Sequence, residues 1–97
     1  MTDTRVKESI EFDLLTETET GYQLIVWNDS VNTFDWVIKA LVEICGHNEE
    51  QAEQCALFIH HQGKYSVKNG DYDTLKPMRE AITDRGIQAT IEALSEA

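Results

Sequence analysis

Tyr22-Gln23-Leu24-Ile25-Val26-Trp27-Asn28-Asp29 reads as a strand that runs into a turn. Positions 22–27 are apolar almost throughout, the pattern of a strand covered on much of both faces. Asn28 and Asp29 break that pattern, because their short polar side chains bond nearby backbone and favour loops. Asn28–Asn32 is therefore a loop, and a helix follows from about Thr33 to Cys45. Asn32 is its expected N-cap, Asp35 falls in its first turn and Gly46 follows its end. Phe34, Val37, Ile38, Leu41 and Ile44 recur close to helical spacing.

Outward from that stretch, a second helix starts at Asn48, with Gln51 completing a capping box and Gly63 past the end. Ala52, Cys55, Ala56 and Ile59 give it one apolar face. Lys64–Lys68 reads as a short strand and Asn69-Gly70 as a turn. Asp73 or Thr74 caps a third helix that reaches about Arg85, where Gly86 stops it. Pro77 falls in its first turn, where a missing N–H does little harm. Ile87, Ala89, Ile91 and Ala93 alternate with polar residues as a half-buried strand does. The order β-α-α-β-α-β predicts an α+β fold: a three-stranded, mostly antiparallel sheet with three helices packed on one face.

The 97 residues, 41% of them hydrophobic, suffice for one small core. Residues 1–20 are polar and acidic and read as a flexible N-terminal extension, with Phe12–Leu15 a candidate docking motif. Residues 21–97 form the core domain. A net charge of -10 argues against nucleic acid but leaves cationic ligands and basic protein surfaces open. No apolar run is long enough to span a bilayer, and the start lacks a secretory pattern. Cys45 and Cys55 suggest no disulfide framework, so the expectation is a cytoplasmic protein without cofactor.

Asn28, Asp29 and His60 place an amide, a carboxylate and an imidazole at the ends of regular elements, a set that can hold an ammonium group. His60 lies one helical turn beyond Ala56 and shares its face, while His61 turns roughly 100° away. An ordinary turn and an ordinary helix end would account for the same residues. No spacing matches a zinc site, since His47 is in a loop and the other two histidines diverge. Cys55 and His60 lie about 140° apart around their helix, and Cys45 has no obvious base. Both cysteines read as small core residues, and the chain is not expected to be an enzyme.

Tyr22–Lys64, from the strand through "ND" to "HHQGK", resembles the ClpS family of adaptor proteins, and Thr90-Ile91-Glu92 is similar to that family's last strand. The resemblance implies an adaptor that binds the free N-terminal residue of substrate proteins (an N-degron) and delivers them to a Clp AAA+ unfoldase–protease of the ClpA/ClpC type. It assigns Asn28, Asp29 and His60 to the substrate's α-amino group. Asn32, Phe34, Val37, Ala56, Ile59 and Ile87 match the lining of a pocket for N-terminal Phe, Leu, Tyr or Trp. Lys64, Lys76 and Arg79 are candidates for unfoldase docking. Phe34 and Ala56 each stand where the family has Met, which implies altered side-chain preference. The segment between His60 and the last strand is also shorter than is usual. The alternative is a protein-docking module of the same fold without N-degron binding.

Overall fold

The computed structural model describes residues 21–94, so the acidic extension and its Phe12–Leu15 motif lie outside the described residues. Six elements follow in the expected order: β1 (Tyr22–Trp27), α1 (Phe34–Cys45), α2 (Glu49–Gln62), β2 (Lys64–Gly70), α3 (Tyr72–Asp84) and β3 (Ala89–Ala93). The three strands form one sheet in the order β2-β1-β3. Both pairings are antiparallel, so the sheet is wholly rather than mostly so.

Strand alternation sends Leu24 and Val26 to one face of β1. There they join Val67 of β2, Ala89 of β3 and the buried faces of all three helices in one cluster: Ile38 and Leu41 of α1, Ala52, Ala56 and Ile59 of α2, Leu75 and Ile82 of α3. Ile25 points to the other face, opposite Ser66 and Thr90, and is buried as well. Three consecutive buried residues thus fit a strand covered on both sides. On that second face the Trp27 indole N–H donates to Thr90 Oγ1 at 3.0 Å, and Lys64 Nζ lies 4.7 Å above the indole ring.

Caps place the helices, and two differ from the sequence reading. Asn48 and Gln51 form the reciprocal capping box of α2 as expected. The N-cap of α1, however, is Thr33, whose Oγ1 accepts from the Trp36 N–H at 3.1 Å. Asn32 is diverted because its side chain is bonded elsewhere. At α3 the cap is Asp71, accepting from Thr74, instead of Asp73 or Thr74. The earlier start leaves Pro77 in the second turn, where its missing N–H deprives the Asp73 carbonyl of an intrahelical partner. Asn69-Gly70 is not a turn either. A register shift opposite Val67 lets β2 continue, pairing Asn69 with Gln23 and Gly70 with Tyr22, and Asp71 alone joins strand to helix.

The end of α3 explains the position of Ile87. Gly86 takes a φ of 84°, its N–H donates to Thr83 O at 2.9 Å, and the Ile87 N–H donates to Ile82 O at 3.3 Å. This is a Schellman motif, in which the residue after glycine packs back on the last helical turn. Ile87 and Ile82 are both fully buried in the common core.

Candidate functional site

The two motif segments meet at the end of the β1–β2 pairing. Trp27 pairs with Lys64, and the next N–H, that of Asn28, donates to the Gly63 carbonyl at 2.8 Å. On the other side the Trp27 N–H donates to Gln88 O at 3.0 Å. Gly63 makes the approach possible. At φ 91° it turns the chain out of α2 while its N–H still caps Ile59 O at 2.9 Å. His60 stands one turn before that reversal and so faces the Asn28–Asn32 loop.

Between loop, α1 and α2 lies an open cleft of about 490 Å³. Asn28, Asp29, Ser30, Asn32, Thr33 and His60 supply its polar lining, and Phe34, Val37, Ala56 and Ile59 its apolar walls. Phe34 and Val37 are one turn apart on α1, as are Ala56 and His60 on α2, so each helix presents one stripe to the opening. Ala56 and Ile59 are buried, whereas Phe34 is 41% exposed at the mouth.

Asp29 is the most heavily bonded of these groups. Its Oδ1 accepts from the Val31 and Asn32 N–H groups, both at 2.8 Å. Its Oδ2 accepts from Asn32 Nδ2, also at 2.8 Å. The Asn32 amide, main chain and then side chain, and the Val31 amide hold the carboxyl below its usual range. A carboxylate has about four lone-pair sites, so one on Oδ2 is left by these contacts. Asn32 Nδ2 also donates to Gly86 O at 2.9 Å. Both neighbours are acceptors, which fixes the orientation of the Asn32 amide.

The loop after α3 is itself anchored to α1. The Trp36 indole N–H donates to Arg85 O at 3.0 Å, and Arg85 Nη2 pairs with Glu43 Oε1 at 2.8 Å.

Eight of the residues singled out from sequence thus converge on one cleft, and Ser30 and Thr33 join them. Only their position between "ND" and the helix could have signalled those two. Ile87 is not among the lining residues and lies in the common core. Lys64 belongs to β2, and Lys76 and Arg79 to α3. Lys64 lies over Trp27 on the face of the sheet opposite Leu24 and Val26, and Arg79 contacts Glu80 at 4.0 Å. His61 touches His60 edge to face, with ring centroids 5.3 Å apart, but stays outside the cleft.

Neither cysteine is among the residues that line the cleft. Burial pushes the Cys45 thiol up to about 11 and raises Cys55 in the same direction, so both are protonated at neutral pH. His47 is engaged with Val67 O at 2.9 Å. Among the described residues no group of three or more His, Cys, Asp or Glu is placed to hold a metal ion, and no helix is long and apolar enough to cross a membrane.

Comparison with known proteins gives a consistent result. The family model described as ATP-dependent Clp protease adaptor protein ClpS matches residues 17–92. Relatives named ATP-dependent Clp protease adapter protein ClpS include that of Corynebacterium aurimucosum, 26% identical over 92 residues, covering 95% of this chain and 83% of the relative. That of Mycobacterium tuberculosis is 27% identical over 86 residues, covering 89% and 82%. Among solved structures, Agrobacterium tumefaciens ClpS2 bound to L-phenylalaninamide superposes with a TM-score of 0.74 at 18% identity, over 77% of this chain and 98% of that one.

Proposed function

This chain belongs to the ClpS family of ATP-dependent Clp protease adaptors, and we propose that its cleft binds the free N-terminal residue of substrate proteins in the cytoplasm for delivery to a Clp AAA+ unfoldase of the ClpA/ClpC type. The observation that carries the reading is the division of the cleft into an acceptor-rich end and an apolar end. An α-ammonium has three donors. The free lone pair of Asp29 Oδ2, the Asn28 side-chain oxygen and a neutral His60 nitrogen match them in number and kind. The apolar end, walled by Phe34, Val37, Ala56 and Ile59, then takes a bulky first side chain such as Phe, Leu, Tyr or Trp.

The solved relative supports this, because L-phenylalaninamide has a free α-amino group beside an aromatic side chain. Its carboxamide stands in for the first peptide bond of a protein. In this reading the chain is a binding module rather than an enzyme. Residues 1–20 serve as the extension for handover, and Lys76 and Arg79 on α3 are the candidates for docking, with Lys64 on β2.

One observation favours the second reading, a docking module without N-degron binding: most of the acceptor capacity of Asp29 is spent on its own loop. An N-terminal peptide array separates the two. The adaptor reading expects micromolar or tighter binding of peptides starting with Phe, Leu, Tyr or Trp, on the order of -8 kcal/mol. Capture of an unfoldase with no peptide binding supports the second reading.

A further inference from the structure

The sequence places Asn32 in the wall that reads the substrate's side chain, but its bonds run the other way. Its main-chain N–H and its side-chain Nδ2 take hold of the two Asp29 oxygens, one each, at 2.8 Å. The second side-chain proton goes to Gly86 O at 2.9 Å. Both donors of the amide are therefore spent, on two different parts of the fold.

We infer that Asn32 is a positioning residue of the ammonium grip: it acts through Asp29, fixing that carboxylate against the end of α3, and does not select the substrate's side chain. The inference rests on the reading of the cleft as an α-ammonium site and adds to it which residue sets the carboxylate's geometry.

The anchor at Gly86 is rigid enough for the task. Gly86 sits in the Schellman turn, its own N–H bonded to Thr83 O and the next N–H to Ile82 O. The preceding carbonyl, Arg85 O, is held by the Trp36 indole. Asp29 itself sits on an exposed loop, with no such support apart from Asn32 and the Val31 N–H. Residue type matters here. An amide has two protons on one planar nitrogen and reaches a carboxylate and a carbonyl at once. Ala offers no side-chain donor, and Asp would set a second carboxylate against both acceptors. The same bonds contribute most to holding the Asp29 carboxyl below its usual range, which keeps the charge in place for a cationic ligand.

A double-mutant cycle on the full chain tests this, using peptides with free N-terminal Phe, Leu, Tyr and Trp. Asn32→Ala is expected to weaken all four by the same factor, about tenfold for lost hydrogen bonds to a charged group, with their order unchanged. With Asp29→Ala already in place, adding Asn32→Ala is expected to change affinity by less than about twofold. Effects that multiply independently, or a changed order among the peptides, would overturn the inference while leaving the adaptor reading intact. Wild-type protein that binds none of the peptides would overturn both. The side-chain amide resonances of Asn32 in the free protein give a check independent of the Asn32→Ala fold: they should shift strongly on Asp29→Ala, and an unchanged position contradicts the clamp.

Discussion

The Asn28 N–H donates to the Gly63 carbonyl at 2.8 Å, and this one bond joins the two sequence segments that define the cleft. It extends the β1–β2 ladder by one step beyond Trp27 and Lys64. Because Gly63 also ends α2 at φ 91°, the position of His60 relative to Asn28 is set by backbone rather than by side-chain contacts.

Gly63→Ala probes that relationship. A Cβ at Gly63 meets nothing within 4 Å, so the cost is the left-handed backbone alone, about 1–2 kcal/mol. The variant should fold with a lowered melting temperature and a weaker grip on free N-termini, because relief of the strain moves His60. Equal stability by thermal and urea melts would contradict the backbone argument.

Asp29→Asn keeps the shape and removes the charge. Loss of a charge-assisted bond worth about 1.5–3 kcal/mol predicts an affinity some tenfold to a hundredfold lower at pH 7. The wild-type carboxyl lies below its ordinary 3.8. A depressed folded value contributes stability above the unfolded value that is lost only as pH falls through the folded one. The stability difference between wild type and Asp29→Asn should therefore stay constant from pH 7 to about 4 and shrink only below that. A difference that already decays near pH 5–6 would place the carboxyl outside its network.

Cys45 gives the opposite sign. Its thiol is raised from 9.0 to about 11 by burial, so its contribution is complete below pH 9 and is lost as pH rises through about 11. Replacing Cys45 by Ala removes this alkaline loss at the expense of some packing. Melting temperatures of wild type and variant should converge between pH 9 and 11, and parallel curves across that window would show that Cys45 is not desolvated.

Ala56→Met tests the apolar end. Ala56 is 2% exposed yet lines the cleft, so a longer side chain there has to occupy the cavity. Peptides with N-terminal Trp should lose more affinity than those with Leu. Equal loss across first residues would mean that Ala56 does not bound the side-chain space.

The order of elements was legible because each has a local cause. The apolar run Tyr22–Trp27, the Asn48 capping box and the glycines at 46, 63 and 86 all act within a few residues. What sequence alone missed depends on distant partners. Asn32 looks like the better N-cap until Gly86, far along the chain, claims its amide and leaves Thr33 to cap. Asn69-Gly70 resembles a turn until β1 offers Gln23 and Tyr22 as pairing partners. Asp29 shows the limit in the site itself: one residue serves both its own loop and a candidate ligand, and sequence cannot divide its lone pairs.

Acetylation of the substrate N-terminus tests the central claim most directly. Acetylating a peptide that begins with Phe removes the charge and two of the three donors of its α-amino group and adds a small acetyl cap. The account predicts micromolar or tighter binding of the free peptide (on the order of -8 kcal/mol) and no measurable binding of the acetylated one. Equal affinity for the two would contradict it.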